Sequence, residues 1–186
     1  YSSAASDVYK RQLPAVIDGL VYCPGSINLR PFRGLKPEAF EADLQINFIS
    51  LVKVIQAVLP NLTAGEQSSI VLFSSVAATM GMPFHTSVAA AKGAIEGFAK
   101  ALAAEYAPKI RVNVIAPSLT DTPLADKFLN NETKQEKSAE RHPLKRFGTP
   151  EDSAQMATFL LSDKSSWISG QVFHVDGGMS TLLVNG

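Results

Sequence analysis

Ile70-Val71-Leu72-Phe73-Ser74-Ser75 is the stretch on which the fold turns. Four consecutive apolar residues without polar alternation predict a strand buried on both faces, as in a parallel sheet covered by helices on either side. Upstream, Pro37 to Leu62 carries Phe40, Leu44, Phe48, Leu51, Val52, Ile55 and Leu59 at helical spacing. Pro37 falls near the first turn of that helix, where its missing N–H costs nothing. Downstream, Ser87 to Ala107 is alanine-rich and predicts a second long helix that ends before Pro108. Val16 to Tyr22 (VIDGLVY, stopped by Pro24-Gly25), Arg111 to Ala116 (RVNVIA) and Gln171 to Val175 (closed by Gly177-Gly178) read as further strands. Pro150 to Leu161 reads as a helix with Glu151-Asp152 at its positive end. Pro123 to Phe147 is polar and reads as a mobile helical flap. This alternation predicts the α/β class and a doubly wound parallel sheet with right-handed crossovers. In such sheets the ligand crevice lies outside the carboxyl ends of the strands, so the informative residues should come directly after each strand.

Composition narrows the function classes. The chain has 186 residues, 46% of them hydrophobic, which is enough for one domain with a sizeable core. Lys and Arg number 17 and Asp and Glu 17, with no basic block, so nucleic acid and anionic membranes find little to bind. No run of apolar residues approaches the roughly 20 that a membrane span needs. The single cysteine, Cys23, excludes an intramolecular disulfide, and no Cys/His spacing suits a metal. Asn61-Leu62-Thr63 and Asn131-Glu132-Thr133 match the glycosylation pattern, but nothing else in the sequence points to secretion, and a cytoplasmic location is expected. Tyr1 to Gln12 (YSSAASDVYKRQ) has neither periodicity, and from Ser2 on it looks like the translation of a sequencing-library adapter. It is read as a non-native leader, with residues 13–186 as the domain and native sequence expected upstream of Leu13; the alternative is a disordered native tail.

The polar residues after the strands fall at telling intervals. Ser74-Ser75 ends the second strand, and Lys92 lies four residues beyond Val88, one turn along the same helical face. Asn47 stands 28 residues before Ser75, inside the first long helix. Pro117-Ser118 comes after the third strand, and Thr122 stands five residues past that proline. In this order and spacing the chain resembles the short-chain dehydrogenase/reductase family from Leu13 to about Leu183, with a Rossmann-type fold. The resemblance places Asn47, Ser75 and Lys92 in the family's Asn–Ser–Tyr–Lys tetrad. Tyr22-Cys23-Pro24-Gly25 falls at the family's Asn-Asn-Ala-Gly, Pro117-Ser118 at its Pro-Gly, and Thr122 at the threonine that holds the nicotinamide amide. It implies catalytic roles for Ser75, Lys92 and Asn47, and cofactor contacts from Gly25, Lys92, Pro117, Ser118 and Thr122. It also implies NAD or NADP as cofactor, a small-molecule substrate, and a homo-oligomer paired through the two long helices.

Two departures qualify that expectation. The tyrosine position is Val88, which has no ionisable group, and six residues before the lysine stands Thr86 rather than a tyrosine. His85 and Tyr22 are the candidate substitutes, against the plainer readings of a packing histidine and a buried aromatic. The chain also has no Gly-x-x-x-Gly-x-Gly turn, the device that holds a pyrophosphate on a helix N-terminus. The N-terminal βαβ portion is therefore read as missing, nicotinamide binding by this stretch alone is expected to be weak, and Val16 to Tyr22 is expected to form an exposed apolar edge. The function expected is hydride transfer to or from a carbonyl, an alcohol or a conjugated enoyl group. The alternative is a non-catalytic relative that serves as a binding or oligomer-scaffold subunit.

Overall fold

Four strands, β1 (Gly19–Tyr22), β2 (Ser68–Phe73), β3 (Ile110–Pro117) and β4 (Val172–Val175), pair in the order β1-β2-β3-β4, each parallel to its neighbour. The computed structural model describes residues 13–184, and the leader read at Tyr1 to Gln12 lies outside them. The register aligns the strand ends: Tyr22 pairs with Leu72, Phe73 with Ile115 and Pro117 with Val175. Cys23 to Ser26, Ser74-Ser75, Ser118 and Asp176 consequently gather along one rim of the sheet.

The apolar run that decides the fold is buried as predicted, with Ile70, Val71 and Leu72 at 0% exposure. Successive side chains point to opposite faces of a strand, so the run divides between two layers. Ile70 and Leu72 join Leu51, Ile55, Leu62, Ile95, Val112 and Val114 in the larger core. Val71 joins Ile115, Ala157 and Leu160 on the other side. The first layer comprises a helix beginning as α1 (Pro37–Leu44) and continuing as α2 (Ser50–Thr63), together with α3 (Thr86–Tyr106). Between α1 and α2 the chain opens into a π-helical turn, Gln45–Ile49, which the periodicity does not reveal. The flap consists of a 3-10 turn at Pro123–Ala125 and two short helices, α4 (Asp126–Leu129) and α5 (Glu132–Glu140). The second layer is α6 (Pro150–Leu161), whose Thr149 and Asp152 form a capping box ahead of its positive end.

Two expectations are corrected in detail. The first strand begins at Gly19 rather than Val16, because Ile17 N–H is taken by the carbonyl of Asn61, and the Asn61 amide donates to Pro14 O at 2.7 Å. The preceding residues are thus tied to the end of α2 instead of the sheet. Among the described residues β1 is an edge strand, and Val21 on it is 37% exposed. The reading that no segment is long and apolar enough for a membrane is also qualified, since the helix Pro37–Thr63 passes that test by length and composition. Here Leu51, Ile55, Val58 and Leu62 turn into the protein core, with Asp43 and Asn47 buried along the same helix, while Ile46, Ile49 and Val54 stay exposed.

Buried polar residues on β3 anchor the segments packed around it. Arg111 donates to the carbonyls of Leu160, Ser162 and Ser165, closing the end of α6 where orphan carbonyls accumulate. Asn113, also on β3 and fully buried, donates to Ile168 O at 2.9 Å and accepts from Gln171 N–H at 3.1 Å. It thereby sets the approach of the chain to β4.

Candidate active site

Lys92 lies on α3 with only 7% exposure, and its Nζ donates to the carbonyl of Phe73, the last residue of β2, at 2.9 Å. No carboxylate pairs with it among the described residues. Burial lowers its pKa from the ordinary lysine value to about 8, against a smaller opposing pull from Cys23. The same neighbourhood pushes the Cys23 thiol up through burial.

Asn47 sits in the π-helical turn and is completely buried. Such turns widen a helix locally and occur often at functional sites. Its Nδ2 donates to Asp43 O at 2.8 Å and to Ser26 Oγ at 2.9 Å, and its Oδ1 accepts from Ser26 N–H at 3.2 Å. A Cβ added at Gly25 would stand 3.1 Å from Asn47 Oδ1 and 3.3 Å from Lys92 Nζ. One acceptor and one cationic donor thus converge on a point that a side chain would crowd.

Ser75 comes after β2 and is half-buried; its Oγ accepts from Ala77 N–H at 3.2 Å, capping a short 3-10 turn. Its hydroxyl hydrogen remains free to point elsewhere. Ser74 faces away, donating to Glu96 at 2.6 Å, which leaves Ser75 as the serine of the rim. Val88 is buried at 5% exposure, one turn before Lys92 on α3. The two candidate substitutes for the absent phenol fare differently. Ser50 Oγ donates to Ile46 O, so Tyr22 must give its own proton to Ser50, at 2.7 Å, and its phenol is committed within the core. His85 precedes α3 and its Nδ1 lies 2.7 Å from the carbonyl of Pro83. A carbonyl only accepts, so Nδ1 carries a proton toward it. Phe84, beside it, holds a left-handed φ of 70°, a conformation that costs a non-glycine residue energy.

Pro117 ends β3 and Ser118 comes next, but the Ser118 hydroxyl turns to His142 Nε2 at 2.8 Å. His142 Nδ1 faces the carbonyl of Ser138 at 2.6 Å, so that nitrogen bears a hydrogen, and Nε2 is the atom that meets Ser118. His142 is 3% exposed and binds the flap to the rim, a role that no motif or spacing in the sequence marks. Thr122 begins the 3-10 turn of the flap, with its Oγ1 3.4 Å from Thr120 O and no side-chain cap. Thr122 thus occupies the position before the turn without capping it, and its hydroxyl is only weakly engaged. Asp176, at the turn with Gly177-Gly178, accepts from Gly178 N–H and from Ser180, and these bonds hold its pKa down against the opposing effect of burial. Gly177 and Gly178 both have positive φ, as a structural turn requires.

The convergence of Lys92 and Asn47 on Gly25, with Ser75 on the same rim, suits the hydroxyls of a ribose: a diol needs both a cationic donor and an acceptor. These residues fit the nicotinamide-ribose end of a dinucleotide. Residues 3–180 match the family described as enoyl-(acyl carrier protein) reductase. The chain is 40% identical over 146 residues to the 3-oxoacyl-(acyl-carrier-protein) reductase of Thermotoga maritima, a match covering 78% of this chain and 58% of that protein. It is 34% identical over 171 residues to a Xanthobacter autotrophicus protein named inactive 2-(S)-hydroxypropyl-CoM dehydrogenase 2, covering 89% of this chain and 74% of that one. Among solved structures, a gluconate 5-dehydrogenase from Burkholderia cenocepacia, in complex with NADP and tartrate, superposes with a TM-score of 0.88 at 28% identity. That match covers 97% of this chain and 71% of the other.

Proposed function

The chain belongs to the short-chain dehydrogenase/reductase family, and from that premise we propose that it serves an NAD(P)-dependent oxidoreductase acting on a small-molecule carbonyl, alcohol or conjugated enoyl group. The observation that carries the reading is the convergence of Lys92 Nζ and Asn47 Oδ1 on Gly25 at the carboxyl ends of β1 and β2. A bound nicotinamide would supply or accept the hydride. Lys92 spends one N–H on Phe73 and keeps two for the ribose hydroxyls. Ser75 offers its free hydroxyl hydrogen to a substrate oxygen. Thr122 and the Pro117-Ser118 backbone border the place of the carboxamide, and the cofactor contact of Ser118 falls to its main chain, because its hydroxyl belongs to His142.

The proton normally given by a phenol must come from elsewhere, since Val88 can neither donate nor accept. His85 is the candidate with an uncommitted ring nitrogen at the head of α3. The pairing surface that fits a homo-oligomer is the outward side of the two long helices, and on the first of them Ile46, Ile49 and Val54 are exposed apolar groups. We place the protein in the cytoplasm.

The test is titration of the whole gene product with NADH and NADPH, followed by turnover of a panel of carbonyl and enoyl compounds. Saturable binding and turnover that collapses in Lys92→Ala supports the enzyme. Binding or self-association with no turnover on any member of the panel would instead establish a scaffold role.

A further inference from the structure

We infer that Phe84 is a specificity-determining residue of this site, an apolar wall for a substrate that carries an aromatic or alkyl group beside its reacting carbon; the inference rests on the functional reading above. Ser74 to His85 connects β2 to α3 and lies outside the carboxyl ends of the strands, where ligands bind in such sheets. Within this connection Pro83 and Phe84 form a turn, and Phe84 takes a φ of 70°. After a proline in a turn, that left-handed position ordinarily belongs to glycine or asparagine, because a Cβ crowds the following carbonyl there. Hydrogen bonds on both sides hold the strained backbone. Arg30 N–H donates to Phe84 O at 3.2 Å, His85 Nδ1 to Pro83 O at 2.7 Å, and Ala89 N–H to His85 O at 2.8 Å. The first of these ties the turn to the loop after β1, which carries Gly25 and Ser26. Lys127 on the flap reaches the same loop, donating to Ile27 O at 3.1 Å. The loop after β1 thus joins the Phe84 turn to the flap, and all three border the rim where Lys92 and Asn47 converge.

Strain of this kind persists only where neighbouring bonds impose it, and it concentrates at ligand sites. Burial does not account for the choice of residue, since Phe84 remains 53% exposed. Glycine would take the same turn without strain, and a polar side chain would suit the exposure better. What phenylalanine adds is an apolar face on the rim. The flap adds another in Leu124, two residues beyond Thr122 and 50% exposed. An exposed ring gains its burial only when a ligand covers it, and the ligand that gains most is one with an apolar surface of its own. The substrate class is therefore a ketone, alcohol or enoyl compound with an aromatic or alkyl substituent, rather than a polyol, whose hydroxyls the ring would strip of water without replacing their hydrogen bonds.

The test compares Phe84→Ala, Phe84→Gly and Phe84→Tyr in the whole gene product. Acetophenone binding is followed by saturation-transfer NMR, with and without NADPH, and acetone serves as the small control. Acetophenone affinity should fall about tenfold in Phe84→Ala and Phe84→Gly and keep its wild-type value in Phe84→Tyr, with acetone unaffected throughout. Urea unfolding reads the strain: Phe84→Gly should unfold at a higher urea concentration than Phe84→Ala, the reverse of the order at a position with negative φ. The inference is overturned if wild type binds no acetophenone in either condition, if Phe84→Ala binds it as wild type does, or if Phe84→Ala is the more stable of the two small variants. A ring that only packs on the first turn of α3 would lower the urea midpoint in both and leave acetophenone binding unchanged. Ketone binding needs no hydride transfer, so failure of the oxidoreductase reading would show separately, as absent NADPH binding with the ring-dependent affinity intact.

Discussion

Lys92 Nζ reaches the carbonyl of Phe73 at 2.9 Å while standing almost wholly out of water and without a carboxylate partner among the described residues. Its folded pKa of about 8 lies below the ordinary 10.5, so the unfolded chain binds more protons between those two values. Stability should therefore rise as pH increases from 8 to 10.5, with the cost of burying the charge fully present below 8. That net cost is about 3 kcal/mol at neutral pH. Lys92→Met should be more stable than wild type at pH 7, and its stability should lose the upward slope above pH 8. Urea unfolding at pH 7, 8, 9 and 10 checks both; parallel pH curves for the two proteins would contradict the assignment.

A side chain at Gly25 is predicted to crowd the site. The Cβ of Gly25→Ala would press on Asn47 Oδ1 at 3.1 Å and Lys92 Nζ at 3.3 Å, both held by hydrogen bonds. Overpacking of this kind costs about 1–3 kcal/mol. Nicotinamide-dinucleotide affinity of the gene product should drop tenfold or more, read by quenching of NADPH fluorescence.

Val88→Tyr should create carbonyl reduction or raise it. The phenol would stand one turn from Lys92 on the same face of α3, where the ammonium lowers its pKa. A positioned acid or base contributes roughly 10²–10⁴-fold. Turnover of an aromatic aldehyde with NADPH, compared between wild type and Val88→Tyr, measures the gain. No gain in a folded variant that still binds NADPH would mean that the surrounding residues do not present a substrate oxygen at this position.

Asn113→Ala should destabilise the protein without altering its surface. The change orphans Ile168 O and Gln171 N–H, which Asn113 satisfies while itself at 0% exposure. Each buried group left unpaired costs about 1–3 kcal/mol, so a loss of roughly 2–4 kcal/mol is expected in thermal or urea unfolding. A loss below about 0.5 kcal/mol would show that water replaces the lost partner.

Much of the frame is legible in the sequence because it is written locally. The interval of four between Val88 and Lys92 is a helical turn, and Ile70 to Phe73 cannot alternate because both its faces are covered. The π-helical turn at Gln45–Ile49 is not legible, since its residues are ordinary helix formers and only the hydrogen-bond pattern departs. Ser26, Asp43 and Ser87 stay hidden for another reason. Each is a common polar residue in an ordinary setting, and their bonds join positions 17 and 44 residues apart. The same holds for His142, whose partner Ser118 lies 24 residues away.

By itself the sequence determined the alternation of strand and helix, the two-sided burial of the sheet and the identity of each group on its rim, including a valine where a phenol is expected. Periodicity and side-chain chemistry are properties of neighbours along the chain, and they survive without coordinates. Only the tertiary structure decided which of those groups are free to act. Tyr22 is spent on Ser50, Ser118 on His142, and Asn47 is turned so that its oxygen and the Lys92 ammonium flank Gly25. Hydrogen-bond direction depends on which donor meets which acceptor across the fold, and for Asn47 those partners are the Asp43 carbonyl and the Ser26 N–H, the second of them 21 residues away in the chain.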